Sequence, residues 1–389
     1  MKKNSICKII VSGLLAAVPL MGMAQQVCGN KPWSVRMAES EMVRCPESWQ
    51  LDFQTRLKWD YCHGLELQAM LDVYDAYGDK KFFDYAVAYA DTMIHQDGSI
   101  ETYKLEEYNI DRLNSGKMLF RIYEQTKDEK YKKALDLLRS QLDTHPRNAD
   151  GGFWHKKIYP HQMWLDGLYM ASPFLARYGA EFNRPDLIDE AVKQFTLCHK
   201  HTYSPETGLY HHAWDESKSQ RWANPQDGTS PNFWGRSIGW WFMAMVDVLD
   251  YIPDNHPGRA SLISWIQGLA ESLPNYQRDG LWYQVIDQPE REGNFPEASV
   301  TTQCMYAYAK AVNKGYIEGF HAQINPEVMG YHIKAFINLE VIPQDKKKFY
   351  PYIKECKNVV ECNCVTGDYS MLLEVLFQST SELDQFIGE

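Results

Sequence analysis

Two aspartates lie near the predicted starts of apolar helices, and one of them, Asp166, is surrounded by large apolar side chains. Asp166 lies within YPHQMWLDGLYM, residues 159–170, and Asp111 follows Asn109 near the predicted start of another helix. A carboxylate among large apolar side chains is costly unless it is paired or protonated. Two carboxylates on neighbouring helices, between apolar walls, are what acid–base chemistry on a sugar requires. Asp111 and Asp166 are therefore candidate catalytic residues.

Other polar and aromatic residues occur at or just before the predicted starts of apolar helices, where packing alone predicts apolar side chains. Each of them also has a structural explanation: a lysine can be solvated, a histidine can be a core residue, and a tryptophan can simply pack. Aromatic rings can also cover the apolar faces of a sugar. The whole set is Tyr61, His63, Asn109, Asp111, His155, Lys156, Asp166, His212, Trp234, Arg236, Trp240, Glu297 and Ser299.

The sequence lacks the motifs of several other chemistries. It contains no Gly-x-Ser-x-Gly elbow, no phosphate-binding glycine loop, no His-Glu-x-x-His helix and no dinucleotide fingerprint. The adjacent pair His211 and His212 is a weak metal site because neighbouring side chains diverge. We therefore predict neither a metal nor a cofactor.

Helical periodicity dominates the chain, and strand signals are scarce. Residues 61–79 and 80–94 read as two antiparallel helices, and this unit of an apolar and an amphipathic helix recurs. Six inner and six outer helices predict an all-α fold, the (α/α)6 barrel. Inner helices are predicted to begin near residues 61, 109, 162, 233, 297 and 366, and outer helices to occupy about 35–44, 80–94, 128–143, 185–201, 257–275 and 327–340.

The predicted helix starts share one rim of the barrel with the connecting loops, so a funnel at this rim would be the site. Pro160 suits the first turn of the helix near residue 162. This placement puts Asp166 in the second turn, beyond the reach of an N-cap.

The first 24 residues have the pattern of a secretory signal peptide. Three lysines precede an apolar stretch at residues 9–21, and small residues lead to a cleavage position near Ala24. The stretch is shorter than the roughly 20 residues that span a bilayer, although an uncleaved anchor is the alternative. We expect export to the periplasm, no membrane insertion after cleavage, and one barrel domain over residues 25–389.

The charge of the chain argues against nucleic acid as a partner. The formal net charge is −11, and removal of residues 1–24 takes away three lysines and no acid, which makes it −14. So acidic a surface repels nucleic acid, and an anionic substrate would need local cations. We expect a monomer or a weak homo-oligomer.

Eight cysteines remain after cleavage, which permits disulfides without identifying them. Cys356, Cys362 and Cys364 lie in the cysteine-rich segment ECKNVVECNC. A surface loop with one optional disulfide is a better interpretation of this segment than a metal cluster, because no Cys-x-x-Cys pair or nearby histidine accompanies it.

Four segments of the chain resemble a known family. GGFWHKKIYPHQMWLDGLYMASPFLARYG, GLYHHAWDES, NFWGRSIGWW and NFPEASVTTQCMYAYAKAVNKGY are similar to the unsaturated rhamnogalacturonyl hydrolases of glycoside hydrolase family 105. The resemblance implies an (α/α)6 barrel that removes a 4,5-unsaturated uronic acid from the non-reducing end of oligosaccharides made by polysaccharide lyases. The cysteine-rich segment is a departure from this family.

The resemblance also implies roles for single residues. Asp166 would protonate C4 of the sugar and then take a proton from the water that attacks C5, and Asp111 would orient Asp166 or stabilise the cation. The substrate-binding residues would be Tyr61 and His212 along the sugar, Trp164 and Trp234 as stacking walls, and Arg236, His155 and Lys156 near the sugar carboxylate.

Three alternatives remain. An unsaturated glucuronyl hydrolase acting on ulvan or glycosaminoglycan fragments would use the same chemistry with a different neighbouring sugar. A sugar 2-epimerase would need a pair of inner-helix histidines, and His63 and His155 are not both placed for this role. A non-catalytic oligosaccharide-binding barrel would not need the pair of Asp111 and Asp166.

Overall fold

Two units, each with its own apolar core, make up the described part of the chain. In this computed structural model the described residues are 8–9, 31–319, 330–342, 344–365 and 369–388. One unit spans residues 34–321, and the other is formed by residues 1–33 and 322–389.

The larger unit is built from α-helices that alternate between an inner and an outer position. In the list that follows, even-numbered helices are the inner ones and odd-numbered helices are the outer ones. The helices are α1 (Trp33–Arg44), α2 (Tyr61–Tyr77), α3 (Lys80–Met93), α4 (Lys117–Thr126), α5 (Glu129–Ser140), α6 (Leu165–Glu181), α7 (Pro185–Thr202), α8 (Gly235–Val248), α9 (Arg259–Ser272) and α10 (Ala298–Asn313). Short 3-10 segments are Ser48–Phe53, Leu105–Glu107, Ile110–Gly116, Gln141–Asp143 and Leu273–Tyr276.

Burial distinguishes the two kinds of helix. Inner helix α8 buries twelve of its 14 residues, whereas outer helix α9 buries four of 14. Consecutive inner helices pack against each other from α6 to α8 and from α8 to α10. The predicted (α/α)6-barrel fold class is confirmed for the larger unit, although its described residues contain five inner and five outer helices rather than the predicted six of each.

Local sequence signals fix where the outer helices begin and where α2 ends. The side chains of Asp79 and Asp128 accept hydrogen bonds from the backbone N–H groups of Lys81 and Lys130, at 3.2 and 3.1 Å, and so cap α3 and α5. Gly78 ends α2 with a φ of 74°, a left-handed conformation that glycine adopts without strain.

The predicted helix start near residue 162 is wrong. Gln162–Trp164 is a strand, β2, which pairs antiparallel with Ala213–Asp215, β5. The helix therefore begins at Leu165 rather than near residue 162 or Pro160, and Asp166 lies in its first turn. The prediction failed because residues 162–164 form a strand only by pairing with residues 213–215, and the periodicity of one segment does not reveal such a partner. Another short pair of strands joins β3 (Tyr203–Ser204) to β4 (Leu209–Tyr210).

The second unit contradicts the prediction of a single barrel over residues 25–389. The predicted outer helix at 327–340 is a strand over Ile333–Leu339, and the segment after residue 366 includes another strand rather than an inner helix. The elements are β6 (Ile333–Leu339), α11 (Lys346–Glu355), β7 (Val359–Cys364), β8 (Met371–Phe377) and α12 (Thr380–Gly388).

The sheet of this unit has its own core and is antiparallel, with β8 between β7 and β6. Side chains of β8 alternate between buried and half-buried positions, and Met371, Val375 and Phe377 belong to the core. Alternation with period two is the property of a strand with one covered face, so the helical assignment of this region fails.

Only two residues of the predicted signal peptide are described by the structure. Lys8–Ile9, β1, pairs with β7, and the rest of residues 1–24 lies outside the described residues. No helix in the described part of the chain has the length and apolar character needed to cross a membrane.

The described cysteines are all free, and both Cys362 and Cys364 lie in β7 rather than in a loop.

Candidate active site

Four of the predicted site residues lie at or just before the N-terminal ends of the inner helices. Tyr61 is the first residue of α2, and Asp111 lies in the 3-10 segment that leads into α4. Asp166 and Arg236 are each the second residue of an inner helix, α6 and α8. The barrel thus brings residues from distant parts of the sequence to one rim.

Two groups lie close to the same carboxyl oxygen of Asp166. The Ser237 hydroxyl donates a hydrogen bond to its Oδ2 atom over 2.7 Å, and Nε2 of His212 lies 3.6 Å from that oxygen. The Asp166 side chain is 13% exposed. The carboxyl group is therefore enclosed but can still reach a ligand.

His212 lies between two tryptophans. Its ring meets the Trp164 ring edge-on at 5.0 Å and the Trp234 ring edge-on at 4.8 Å, measured between centroids. Burial lowers the pKa of His212 from its usual value, although the neighbouring Asp166 acts in the opposite direction. A neutral imidazole results, and its Nε2 atom has no hydrogen-bond partner among the described residues.

The three rings line a cavity of about 460 Å³. Because a cavity of this size holds a small sugar, it is the candidate substrate pocket. Its lining residues are Trp164, His212, Ala213, Trp222, Ser230, Pro231, Asn232, Trp234, Gln284 and Val285.

Asp111 is the centre of a second cluster. Its Oδ2 atom lies 2.6 Å from Nζ of Lys156, and its Oδ1 atom lies 3.3 Å from Nε2 of His155. Burial acts to raise the pKa of Asp111, but His155 and Lys156 outweigh it and hold the pKa well below its usual value. Asp111 is therefore ionised and contributes negative charge, not a proton.

The position of His155 contradicts its predicted contact with substrate. His155 is only 2% exposed, and its ring stacks on the Trp164 ring at 4.4 Å with an angle of 9° between the planes. It therefore supports Asp111 and Trp164 from behind. Lys156 forms an ion pair with Asp111, so its charge is directed at that carboxylate rather than at a substrate anion.

Arg236 is the predicted cation with the greatest access to solvent. Its guanidinium lies 4.6 Å from the centroid of the Trp234 ring, and its Nε atom lies 3.5 Å from Oε1 of Glu297. The Arg236 side chain is 42% exposed. Oε2 of Glu297 is buried and has no hydrogen-bond partner in the described part of the chain.

Tyr61 completes the rim. Its ring meets the Trp240 ring edge-on, with the centroids 6.4 Å apart. Burial raises the pKa of the Tyr61 phenol, and Cys62 and Asp111 add to the effect. The phenol remains protonated and can donate a hydrogen bond.

The candidates selected from the sequence missed several residues of the site. Ser237 and Asn232 lie in the segment NFWGRSIGWW, beside Trp234 and Arg236, which were selected. Trp222 precedes this segment. Position within the motif could have identified Ser237, but a lone serine carries no chemical signal until its neighbour across the barrel is known.

The fold and the acid–base site define a class, the glycoside hydrolases with an (α/α)6 barrel. Residues 33–325 match the model of Glycosyl Hydrolase Family 88. A solved glycoside hydrolase of family 105 from C. acetobutylicum is 42% identical with a TM-score of 0.70, covering 74% of this chain and 78% of that chain. The chain therefore belongs to glycosyl hydrolase family 88, with family 105 members among its relatives.

Curated relatives are more distant or match a shorter segment. The unsaturated rhamnogalacturonyl hydrolase YesR of Bacillus subtilis is 26% identical over 245 residues, which are 61% of this chain and 67% of that protein. Protein Atu3128 of Agrobacterium fabrum is 38% identical over 154 residues, which are 40% of this chain and 66% of that protein. Residues 334–389 match the Lrp/AsnC ligand binding domain, which agrees with a separate second unit.

Proposed function

We propose that this protein is a glycosidase that removes a 4,5-unsaturated uronic acid from the non-reducing end of oligosaccharides produced by polysaccharide lyases. The proposed substrate is unsaturated galacturonyl-rhamnose from rhamnogalacturonan. Likeness to YesR, an unsaturated rhamnogalacturonyl hydrolase by name, supports this choice.

One observation carries the proposal. The enclosed carboxyl group of Asp166 lies 3.6 Å from His212, which lines an aromatic cavity together with Trp164 and Trp234. Aromatic walls suit the apolar faces of a sugar ring, and an enclosed acid suits proton transfer to carbon.

The proposed reaction is a hydration of the C4=C5 double bond. Asp166, in its acid form, gives its proton to C4, and the electron pair of the double bond forms the new C–H bond. Positive charge then develops at C5 and the ring oxygen. Water attacks C5 and returns a proton to the Asp166 carboxylate, and the resulting hemiketal opens and expels the neighbouring sugar.

The ionised Asp111 cluster supports the cationic stage of this reaction. Asp111 is negatively charged at neutral pH because His155 and Lys156 hold its pKa low. Its field favours positive charge developing nearby. Arg236, which is partly exposed, is the residue proposed to attract the carboxylate of the sugar.

The test uses unsaturated oligosaccharides made by different lyases. Rhamnogalacturonan, ulvan and glycosaminoglycan fragments are each incubated with the purified protein, and loss of the ultraviolet absorbance of the conjugated double bond is followed. We expect loss with rhamnogalacturonan fragments. Loss only with the other fragments would reassign the substrate to the glucuronyl type, and no loss with any of them would favour an oligosaccharide-binding protein.

We also propose that the protein acts in the periplasm after removal of residues 1–24. The support is the pattern of basic residues, an apolar stretch and a cleavage position near Ala24. Cell fractionation and N-terminal sequencing of the mature protein test this, and a cytoplasmic protein that retains Met1 would contradict it.

A further inference from the structure

Ser237 is a buried hydroxyl in direct contact with the proposed catalytic acid. It is 0% exposed and lies in the first turn of α8, one residue after Arg236. Its Oγ atom donates to Oδ2 of Asp166 over 2.7 Å.

The two carboxyl oxygens of Asp166 have different surroundings. Oδ2 accepts the Ser237 hydrogen bond and is the oxygen nearest to His212. No described residue makes a hydrogen bond to Oδ1. A carboxylic acid has one proton for two oxygens, and an oxygen that already accepts a strong hydrogen bond is the poorer place for that proton.

We propose that Ser237 is a positioning residue that makes Oδ2 the accepting oxygen of Asp166 and leaves Oδ1 to deliver the proton. The inference rests on the proposed function, because it assigns a direction to the proton transfer described above. Oδ1 gives its proton to C4 and later takes one from the water that attacks C5. Ser237 neither gains nor loses a proton in either step.

The same hydrogen bond favours the transition state. Asp166 becomes negatively charged as the proton leaves, and a hydrogen bond to a charged acceptor is stronger than one to a neutral acceptor. The Ser237 bond therefore strengthens during the reaction, so its loss affects kcat more than KM. Two titratable groups that interact with Asp166 are His212 and the thiol of Cys198 on α7, and burial raises the pKa of this thiol to about 12.

The experiment compares Ser237→Ala with wild type in turnover of the unsaturated oligosaccharide. We expect kcat to fall about 10- to 100-fold, with little change in KM, because a hydrogen bond to a charged group is lost. The alkaline limb of the pH profile of kcat should move to higher pH, since the ionised form of Asp166 loses a donor. An unchanged kcat and an unchanged limb would overturn the proposal.

Two further variants provide controls. Ser172→Ala removes a buried hydroxyl from α6 that makes no hydrogen bond to Asp166 within the described part of the chain, and it should leave kcat and the pH profile unchanged. Ser237→Cys keeps the size of the side chain with a weaker donor and should fall between wild type and Ser237→Ala. It also replaces the alanine variant if that protein does not fold.

A measurement without substrate separates this proposal from the proposed function. The carbon-13 carboxyl signal of Asp166 is identified by its absence from Asp166→Asn, and its titration is followed in wild type and in Ser237→Ala. A midpoint at higher pH in the variant supports the positioning role even if no oligosaccharide is turned over. An unchanged midpoint overturns the role even if turnover is observed.

Discussion

At the scale of single residues, the site depends on two carboxyl groups with different partners. Asp111 is paired with Lys156 and His155 and is ionised, whereas Asp166 has a hydroxyl and a neutral imidazole as its neighbours. The sequence indicated Asp166 from its apolar surroundings and Asp111 from its position near a predicted helix start. It could not predict their partners, because Ser237 is 71 positions away from Asp166 and only the fold brings them together.

The pairing of Lys156 with Asp111 leads to a prediction that separates its two possible roles. Lys156→Met should lower kcat about tenfold or more, with a smaller effect on KM, because the Asp111 carboxylate loses the ion pair that holds it in position. Steady-state kinetics measure both constants. The matched control is Lys157→Met, since Lys157 is an exposed neighbour. A large rise in KM with an unchanged kcat would mean that Lys156 binds the sugar carboxylate instead.

At the scale of secondary structure, α6 and α8 carry the proposed acid and its hydroxyl partner. The sequence predicted most helices of the larger unit within a few residues, because apolar periodicity and caps are local signals. The start of α6 was misplaced because β2 exists only through its pairing with β5. The β6 segment was misassigned although Ile333, Ala335, Ile337 and Leu339 recur with period two, a pattern that a strand explains better.

Gly167 permits the close approach of α6 to His155, which gives a prediction about stability. A Cβ atom at residue 167 would lie 3.0 Å from Nδ1 of His155 and 3.7 Å from Cγ2 of Ile110. Gly167→Ala should lower the free energy of unfolding by about 1–3 kcal/mol, because the core must shift. Urea unfolding followed by tryptophan fluorescence reports on the larger unit, since the last tryptophan is Trp282.

Gly268→Ala is the matched control for Gly167→Ala. Gly268 lies within α9, and a Cβ atom there would meet nothing within 4 Å. Alanine should therefore stabilise the helix by up to about 1 kcal/mol. If both variants gained stability, the packing of α6 on His155 would be looser than the structure indicates.

At the scale of the whole molecule, buried histidines couple stability to pH. Burial lowers the pKa of His145 from 6.5 to about 4, although a hydrogen bond to the Trp154 carbonyl acts in the opposite direction. Below pH 6.5 the unfolded chain gains a proton at this residue that the folded protein does not bind. Acidification from pH 7 to 5 should therefore cost on the order of 2 kcal/mol of stability through His145 alone.

The variant His145→Gln tests this coupling. Its free energy of unfolding should fall less than that of wild type between pH 7 and 5, whatever its stability at pH 7. His95→Gln changes an exposed histidine and serves as the control. Equal pH slopes for His145→Gln and wild type would show that His145 does not carry the effect.

The chain as a whole combines a barrel of glycosyl hydrolase family 88 with a second unit that matches the Lrp/AsnC ligand binding domain. Apolar periodicity predicted the alternating inner and outer helices of residues 33–313, because this periodicity is a local property of each helix. The boundary was missed because the region after residue 330 was interpreted with the period of the helices before it. A change from period 3.6 to period two marks such a boundary.

The central claim is that Asp166 donates the proton that starts hydration of the double bond. The most direct test compares wild type with Asp166→Asn on unsaturated galacturonyl-rhamnose, by following the ultraviolet absorbance of the double bond and by confirming the fold from tryptophan fluorescence. We predict that absorbance falls with wild type and stays constant with a folded Asp166→Asn variant. Near-normal loss of absorbance with that variant would contradict the assignment of Asp166 as the catalytic acid.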